Sequence, residues 1–310
     1  MTLYPLRFKP IRKPKIWGAE SWEISGFGED VSVVKNGYLC GNDLNDLVET
    51  YMDELVGGRV YERYGNRFPL LFKFIDAQDD LSIQVHPDDK TAAACGLNGK
   101  TEMWYVMDSD ENASVVLGFA KNTGKDEFVK HLDALDLPNL LQTVNVTKGD
   151  VAYIPAGLVH ALRRGTMVAE IQQSSDTTFR IYDYDRRDAY GNHRELHIDQ
   201  ALNVMDYHRH RSPLVAYSEN KNTPILLVKD SHFTTNLLTL NQSVERDFAT
   251  LDSFVVYMCV AGRLCIECAD VPSEPVCIRR GESVLIPASL NDIRLTPKSA
   301  EAKVLETYIV

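Results

Sequence analysis

Residues 81–90 of this 310-residue chain read LSIQVHPDDK. Leu81, Ile83 and Val85 alternate with Ser82, Gln84 and His86, the period of two that a strand with one buried face requires. An amide and an imidazole two residues apart point the same way, and both offer lone pairs to a divalent ion; Ser82 adds a hydroxyl in line with them. A third candidate stands in KGDVAYIPAGLVHAL, residues 148–162. There Gly149-Asp150 makes a tight turn and Pro155 ends a strand at a position that need not donate to a ladder. Gly157 permits a turn that a Cβ would obstruct, so His160 opens the next strand with its ring available to the interior. The rival His208-Arg209-His210 has the same spacing, but Arg209 and Arg211 oppose a cation there.

Such side chains need a scaffold, and the composition bounds it. With 44% apolar residues a sizeable core is available, and the length suits two domains or one large β architecture. A formal net charge of −11 argues against nucleic acid, while a local pocket of Arg and Lys still admits a small anionic substrate. Apolar runs fall short of the roughly 18 residues that span a bilayer, and MTLYPLRFKPIRKPK lacks an apolar segment behind its basic residues. The reading is a soluble, unexported, cytoplasmic protein with no membrane or nucleic-acid partner, a monomer or homodimer. Six cysteines are then expected to stay reduced; Cys265 and Cys268, three apart on a strand, point to opposite faces and read as packing residues rather than a zinc or redox pair.

Leu44, Leu47, Val48, Tyr51 and Leu55 predict an amphipathic helix capped by Asn42 or Asp43 and ended by Gly57-Gly58. Strands are expected at 70–77, 81–86, 101–108, 114–120, 151–156, 167–173 and 178–185, with a helical insertion at 125–142, another helix near 195–206 and a linker at 208–224. From Ile225 onward short strands and turns predict an all-β module. The chain also repeats itself: KGDVAYIPAGLVHAL aligns without gaps on RGESVLIPASLNDIRL (280–295), pairing Gly149 with Gly281, Pro155 with Pro287 and His160 with Asp292.

The first copy, G-x5-P-x-G-x2-H, resembles a motif of the cupins, small jelly-roll β barrels that often hold a metal between their sheets. The expected fold is mainly β: two cupin-type jelly-roll barrels with helical insertions in the N-terminal part. Residues 1–220 would form the metal-binding catalytic domain and 221–310 a degenerate cupin-like domain, Ser289 and Asp292 having replaced the motif's Gly and His. Cupins usually add an H-x-H pair followed by Glu; this chain has Gln84-Val85-His86, and the next plausible carboxylate is Glu102. Gln84, His86, Glu102 and His160 would then converge on one Zn2+ or another divalent first-row ion with open positions.

FPLLFKFIDAQDDLSIQVHPDD, GKTEMWYV, IPAGLVHAL, TTFRIYDYDR and the early IWGAESWEIS together resemble the class I mannose-6-phosphate isomerases, especially the short bacterial form. The resemblance covers most of residues 16–186. It implies a zinc enzyme interconverting mannose 6-phosphate and fructose 6-phosphate, with the four ligands above and an active-site Arg180. Lys100, two residues before Glu102, would bind the phosphate or shuttle a proton, Ser82 would meet the substrate, and the carbon base stays open among Glu170, Lys100 and a bound water. A cupin-type non-haem iron dioxygenase, or a sugar-binding double cupin without activity, is the alternative reading.

Overall fold

The computed structural model describes residues 2–187, 190–269, 271 and 274–310. Its N-terminal portion runs through β1 (Ile11–Lys15), β2 (Gly18–Ile24), β3 (Gly26–Phe27), β4 (Asp30–Val31), α1 (Leu44–Val56), α2 (Gly58–Tyr64) and β5 (Leu70–Ala77). The middle comprises β6 (Ile83–Val85), α3 (Asp89–Ala93), β7 (Glu102–Ser109), β8 (Ser114–Phe119), α4 (Lys125–Asp133), β9 (Leu141–Asn145), β10 (Val151–Ile154), β11 (His160–Leu162), β12 (Thr166–Gln173), β13 (Phe179–Tyr182) and α5 (Ile198–Val204). The rest is strand: β14 (Ile225–Lys229), β15 (Thr234–Leu240), β16 (Val244–Asp247), β17 (Val255–Ala261), β18 (Arg263–Cys268), β19 (Val276–Arg279), β20 (Glu282–Ile286), β21 (Asp292–Pro297) and β22 (Ala302–Tyr308).

The chain is mainly β, as expected. Two compact units emerge, one from Arg12–Glu20 and Phe74–Val215, the other from the stretch ending at Ile11, Ser21–Lys73 and Ala216–Val310. A cut near 220 is therefore only part of the division, because the N-terminal segment joins the C-terminal strands. Its physical ties are hydrogen bonds: Leu6 bridges Leu285 through the backbone, and the Asp252 carboxylate accepts from the Gly58 and Arg59 amides at the start of α2.

The sheets repeat one plan. In the first unit the order β5-β12-β7-β10 faces β6-β11-β8-β9; in the second, β15-β22-β17-β20 faces β16-β21-β18-β19. Each strand of one set thus has its counterpart ten strands later in the other. Within each pair of sheets inward residues share a core, Trp104, Val106, Val115, Leu117, Ile154 and Leu162 in the first, Tyr257, Leu264, Ile266, Val284, Ile286 and Leu295 in the second. The first unit also buries the outside of its smaller sheet: Ile83, Val85, Val116 and Ala161 pack under Phe128 of α4 and Ala201 of α5. That is why β6 can be apolar on one side and carry Gln84 on the other.

Several sequence expectations shift. Asp43 caps α1 by accepting from the Asp46 amide, and Gly57 ends it. The helix predicted over 125–142 stops at Asp133: Leu135 takes a positive φ of 56°, Pro138 sits in a 3-10 turn, and Leu141–Asn145 become a strand. The repeat keeps register only as far as Leu158 and Leu290. Beyond them His160 and Leu162 point inward in one copy, Ile293 and Leu295 in the other, so the second turn is one residue longer and Ile293, not Asp292, holds the place of His160. Strand pairing agrees, since His160 lies opposite Gln84 and Ile293 opposite Arg246. The cysteine expectation is also corrected: Cys265 and Cys277 lie directly opposite on β18 and β19 with their Cα atoms 4.0 Å apart, and they are joined as a disulfide rather than held as free thiols.

Candidate active site

One row of side chains crosses the smaller sheet of the first unit. Arg180 on β13 is paired with Gln84 on β6, and Gln84 with His160 on β11. Directly opposite residues share a face, so the row looks into the barrel. The larger sheet answers with two further rows: Glu102 on β7 lies opposite Gln172 on β12, and Trp104 lies opposite Glu170. His86 follows β6 by one residue, and the turn carrying Gly157 holds it in place. Gly157 donates its amide to the His86 carbonyl at 2.9 Å, with φ +88° and the Val204 carbonyl 2.9 Å from where a Cβ would stand. Glycine is required there by both conformation and space.

His86, Glu102 and His160 are all buried, and one potential ligand atom from each lies within 4.8 Å of the others. His160 Nε2 is 3.3 Å from Glu102 Oε1, and His86 Nε2 is 3.6 Å from Oε2. The Leu158 carbonyl lies 2.8 Å from His160 Nδ1, which fixes that nitrogen as the donor and leaves Nε2 its lone pair facing Glu102 and the Gln84 amide at 3.3 Å. Burial pushes the His160 pKa down to about 4, with the Leu158 bond opposing, so the ring is neutral and able to ligate at physiological pH. Lys100 is buried ahead of β7, its ammonium bonding Glu102 Oε2 and lying 3.1 Å from His86 Nε2.

Trp104, which the sequence reading did not single out, donates its indole N–H to Glu170 Oε2 at 2.8 Å and packs its ring at a steep angle to His160, centroids 5.5 Å apart. Glu170, one of three open choices for the base, is buried on this interior face. Arg180 gives Nη1 to the Glu195 carbonyl at 2.7 Å; burial, then Arg194, lowers its pKa while Asp183 opposes. Ser82 is buried just before β6. Of the expected ligands three form a compact cluster, Gln84 adjoins it through His160, and Arg180 lies in the same row. His208 and His210 both turn to Asp206 instead, at 2.6 and 3.2 Å.

The corresponding place in the second unit is filled differently. Counting from the paired positions, Gln84, His86, Glu102 and His160 correspond to Arg246, Phe248, Val255 and Ile293. The Trp104–Glu170 pair recurs as Tyr257 opposite Glu306, with the phenol donating to Glu306 Oε2 at 2.7 Å. Glu306 is fully buried and also accepts from Arg246 Nε and Nη2 at 2.9 and 2.8 Å and from Asn236.

Residues 9–124 match the family described as phosphomannose isomerase type I, catalytic domain. The chain is 40% identical over 224 residues to mannose-6-phosphate isomerase ManA of Bacillus subtilis, covering 66% of this chain and 69% of that protein. It is 35% identical over 277 residues to the mannose-6-phosphate isomerase of Streptococcus mutans, 87% of this chain and 83% of that one. The crystal structure of the Bacillus subtilis mannose 6-phosphate isomerase superposes with a TM-score of 0.87 at 30% identity, covering 99% of this chain and all of that one.

Proposed function

The chain belongs to the type I mannose-6-phosphate isomerases, and from that premise we propose that it interconverts mannose 6-phosphate and fructose 6-phosphate through an enediol, using one zinc ion. The observation that carries the metal assignment is the buried cluster of His86, Glu102 and His160. Two imidazole nitrogens and a carboxylate suit zinc, and a half-turn of the Gln84 amide would bring its oxygen to the same point as a fourth donor. Bound there, the ion supplies Lewis acidity toward the carbonyl and hydroxyl oxygens of the sugar.

The chain's own groups do the rest. Glu170 removes the proton from carbon 2 of mannose 6-phosphate and returns it to carbon 1, a transfer that a buried carboxylate on the interior face is placed to make. Lys100, already in contact with Glu102, moves a proton between the two sugar oxygens rather than serving the phosphate. Arg180, in the row of Gln84 and His160, sets a permanent positive charge against the negative charge that builds on those oxygens, and Ser82 bonds a sugar hydroxyl. Local cations of this kind admit an anionic substrate despite the net charge of −11. Among the described residues no helix is long and apolar enough to cross a membrane. We place the enzyme in the cytoplasm, where its charged substrate is retained.

A coupled assay of fructose 6-phosphate formation from mannose 6-phosphate tests this reading. Turnover in the zinc-loaded protein, loss of it on chelation and recovery with zinc are expected. An inactive loaded protein would sink the activity, and full rates in metal-stripped protein would sink the metal's part in it.

A further inference from the structure

The Trp104–Glu170 pair survives in the second barrel as Tyr257–Glu306, at the same register and with the same sense of donation, whereas every metal-ligand position there has changed. An aromatic donor opposite a buried carboxylate is therefore a property of this barrel plan. What differs is the neighbour on the smaller sheet. In the second barrel Arg246 takes both oxygens of Glu306 and locks it as half of an ion pair. In the first barrel that position is Gln84, a neutral amide paired with His160. The Trp104 indole orients Glu170 through one hydrogen bond from its N–H, a contact that brings no charge of its own.

We propose that Trp104 is a positioning residue for the isomerisation: its N–H fixes the rotamer of Glu170 while its ring supports His160, so that carboxylate and ligating imidazole keep one spacing. This rests on the isomerase reading above and on Glu170 as the base. Trp104 itself touches neither the sugar nor the reacting atoms in this scheme. Its contribution is to spare Glu170 a search among orientations at each turnover, an effect that belongs in kcat more than in KM.

Two substitutions separate the indole's donor from its bulk. Trp104→Phe keeps an aromatic ring for His160 and removes the N–H; Trp104→Tyr restores a donor, and Tyr257 shows that a phenol at this register reaches the opposite carboxylate. In Trp104→Phe, kcat should fall roughly 10- to 100-fold, the scale of a lost hydrogen bond to a charged group, with KM within about twofold and bound zinc unchanged by elemental analysis. Trp104→Tyr should regain at least about a third of the wild-type kcat, and adding Trp104→Phe to Glu170→Gln should cost nothing further if the residue acts through that carboxylate. A folded, zinc-replete Trp104→Phe with wild-type kcat overturns the proposal. So does full additivity in the double variant, or loss of zinc or fold in Trp104→Phe that Trp104→Tyr shares, which would make the indole a wall rather than a positioning group. Wild-type protein assayed in parallel separates the two claims, since its inactivity would fail the isomerase reading and not the role of Trp104.

Discussion

The two barrels share a strand order and disagree about how to keep a carboxylate in an apolar interior. In the first, Glu102 accepts from the Lys100 ammonium and faces two imidazoles that, with it, could hold a bound cation. In the second, Val255, Phe248 and Ile293 fill that place and the remaining carboxylate, Glu306, is met by Arg246. Burial works to lower the Arg246 pKa, yet its bonds to Glu306 win and raise it, while burial and the same carboxylate push Tyr257 well above the ordinary phenol value. The lesson is that a buried negative charge demands a positive partner, and a cation from outside the chain can in addition leave coordination positions for a substrate.

The sharpest way to break this contrast is to write the second barrel's residues into the first. The double substitution His86→Phe and His160→Ile should abolish zinc binding and lower kcat/KM by at least about 10³-fold, the cost of several kcal/mol of charge stabilisation, while circular dichroism stays native because the second barrel already folds with these residues. Retained activity would mean that the cluster is not the catalytic centre. Conversely, Glu306→Ala strands a largely buried guanidinium and should cost about 3–4 kcal/mol in urea unfolding, with the turnover of folded protein unchanged. A stability loss below about 1 kcal/mol would show that solvent rather than Glu306 serves Arg246.

A smaller effect, about 3 kcal/mol at most, comes from His160 in metal-stripped protein. Its pKa is about 4 when folded against 6.5 when unfolded, so as pH falls the unfolded chain takes up the proton first. Stability should be level above pH 6.5, decline between 6.5 and 4, and level again below 4. Denaturation curves across that range should lose this component in His160→Ile, and an unchanged slope in the variant would assign the titration elsewhere.

Local signals in the sequence carried far. Alternation located β5 and β7 to within a residue, and the glycine and proline of the motif around Pro155 announced the turn before His160. Convergence across the barrel was less legible. Glu102 entered through a family resemblance, since nothing local to GKTEMWYV says that this carboxylate faces two distant imidazoles. The Trp104–Glu170 bond depends on the register of β7 against β12, which spacing along the chain does not encode. Spacing put Lys100 two residues before Glu102 without fixing its burial, which follows from an aliphatic stem that carries the ammonium inward to that acid. The strands of residues 11–31 went unread, as IRKPK combines a proline with three charges and half-buried rather than buried apolar sites. Cys265 and Cys277 became partners only once β18 and β19 were seen to pair.

The turn ahead of Ile293 is longer by one residue than the turn ahead of His160. Because side chains on a strand alternate, that single extra codon turns Asp292 outward and seats a hydrocarbon where the other copy has an imidazole. Ancestry in proteins of this architecture should accordingly be traced through small insertions and deletions as much as through replacements, since a shift by one link changes which side chain a barrel presents to its interior.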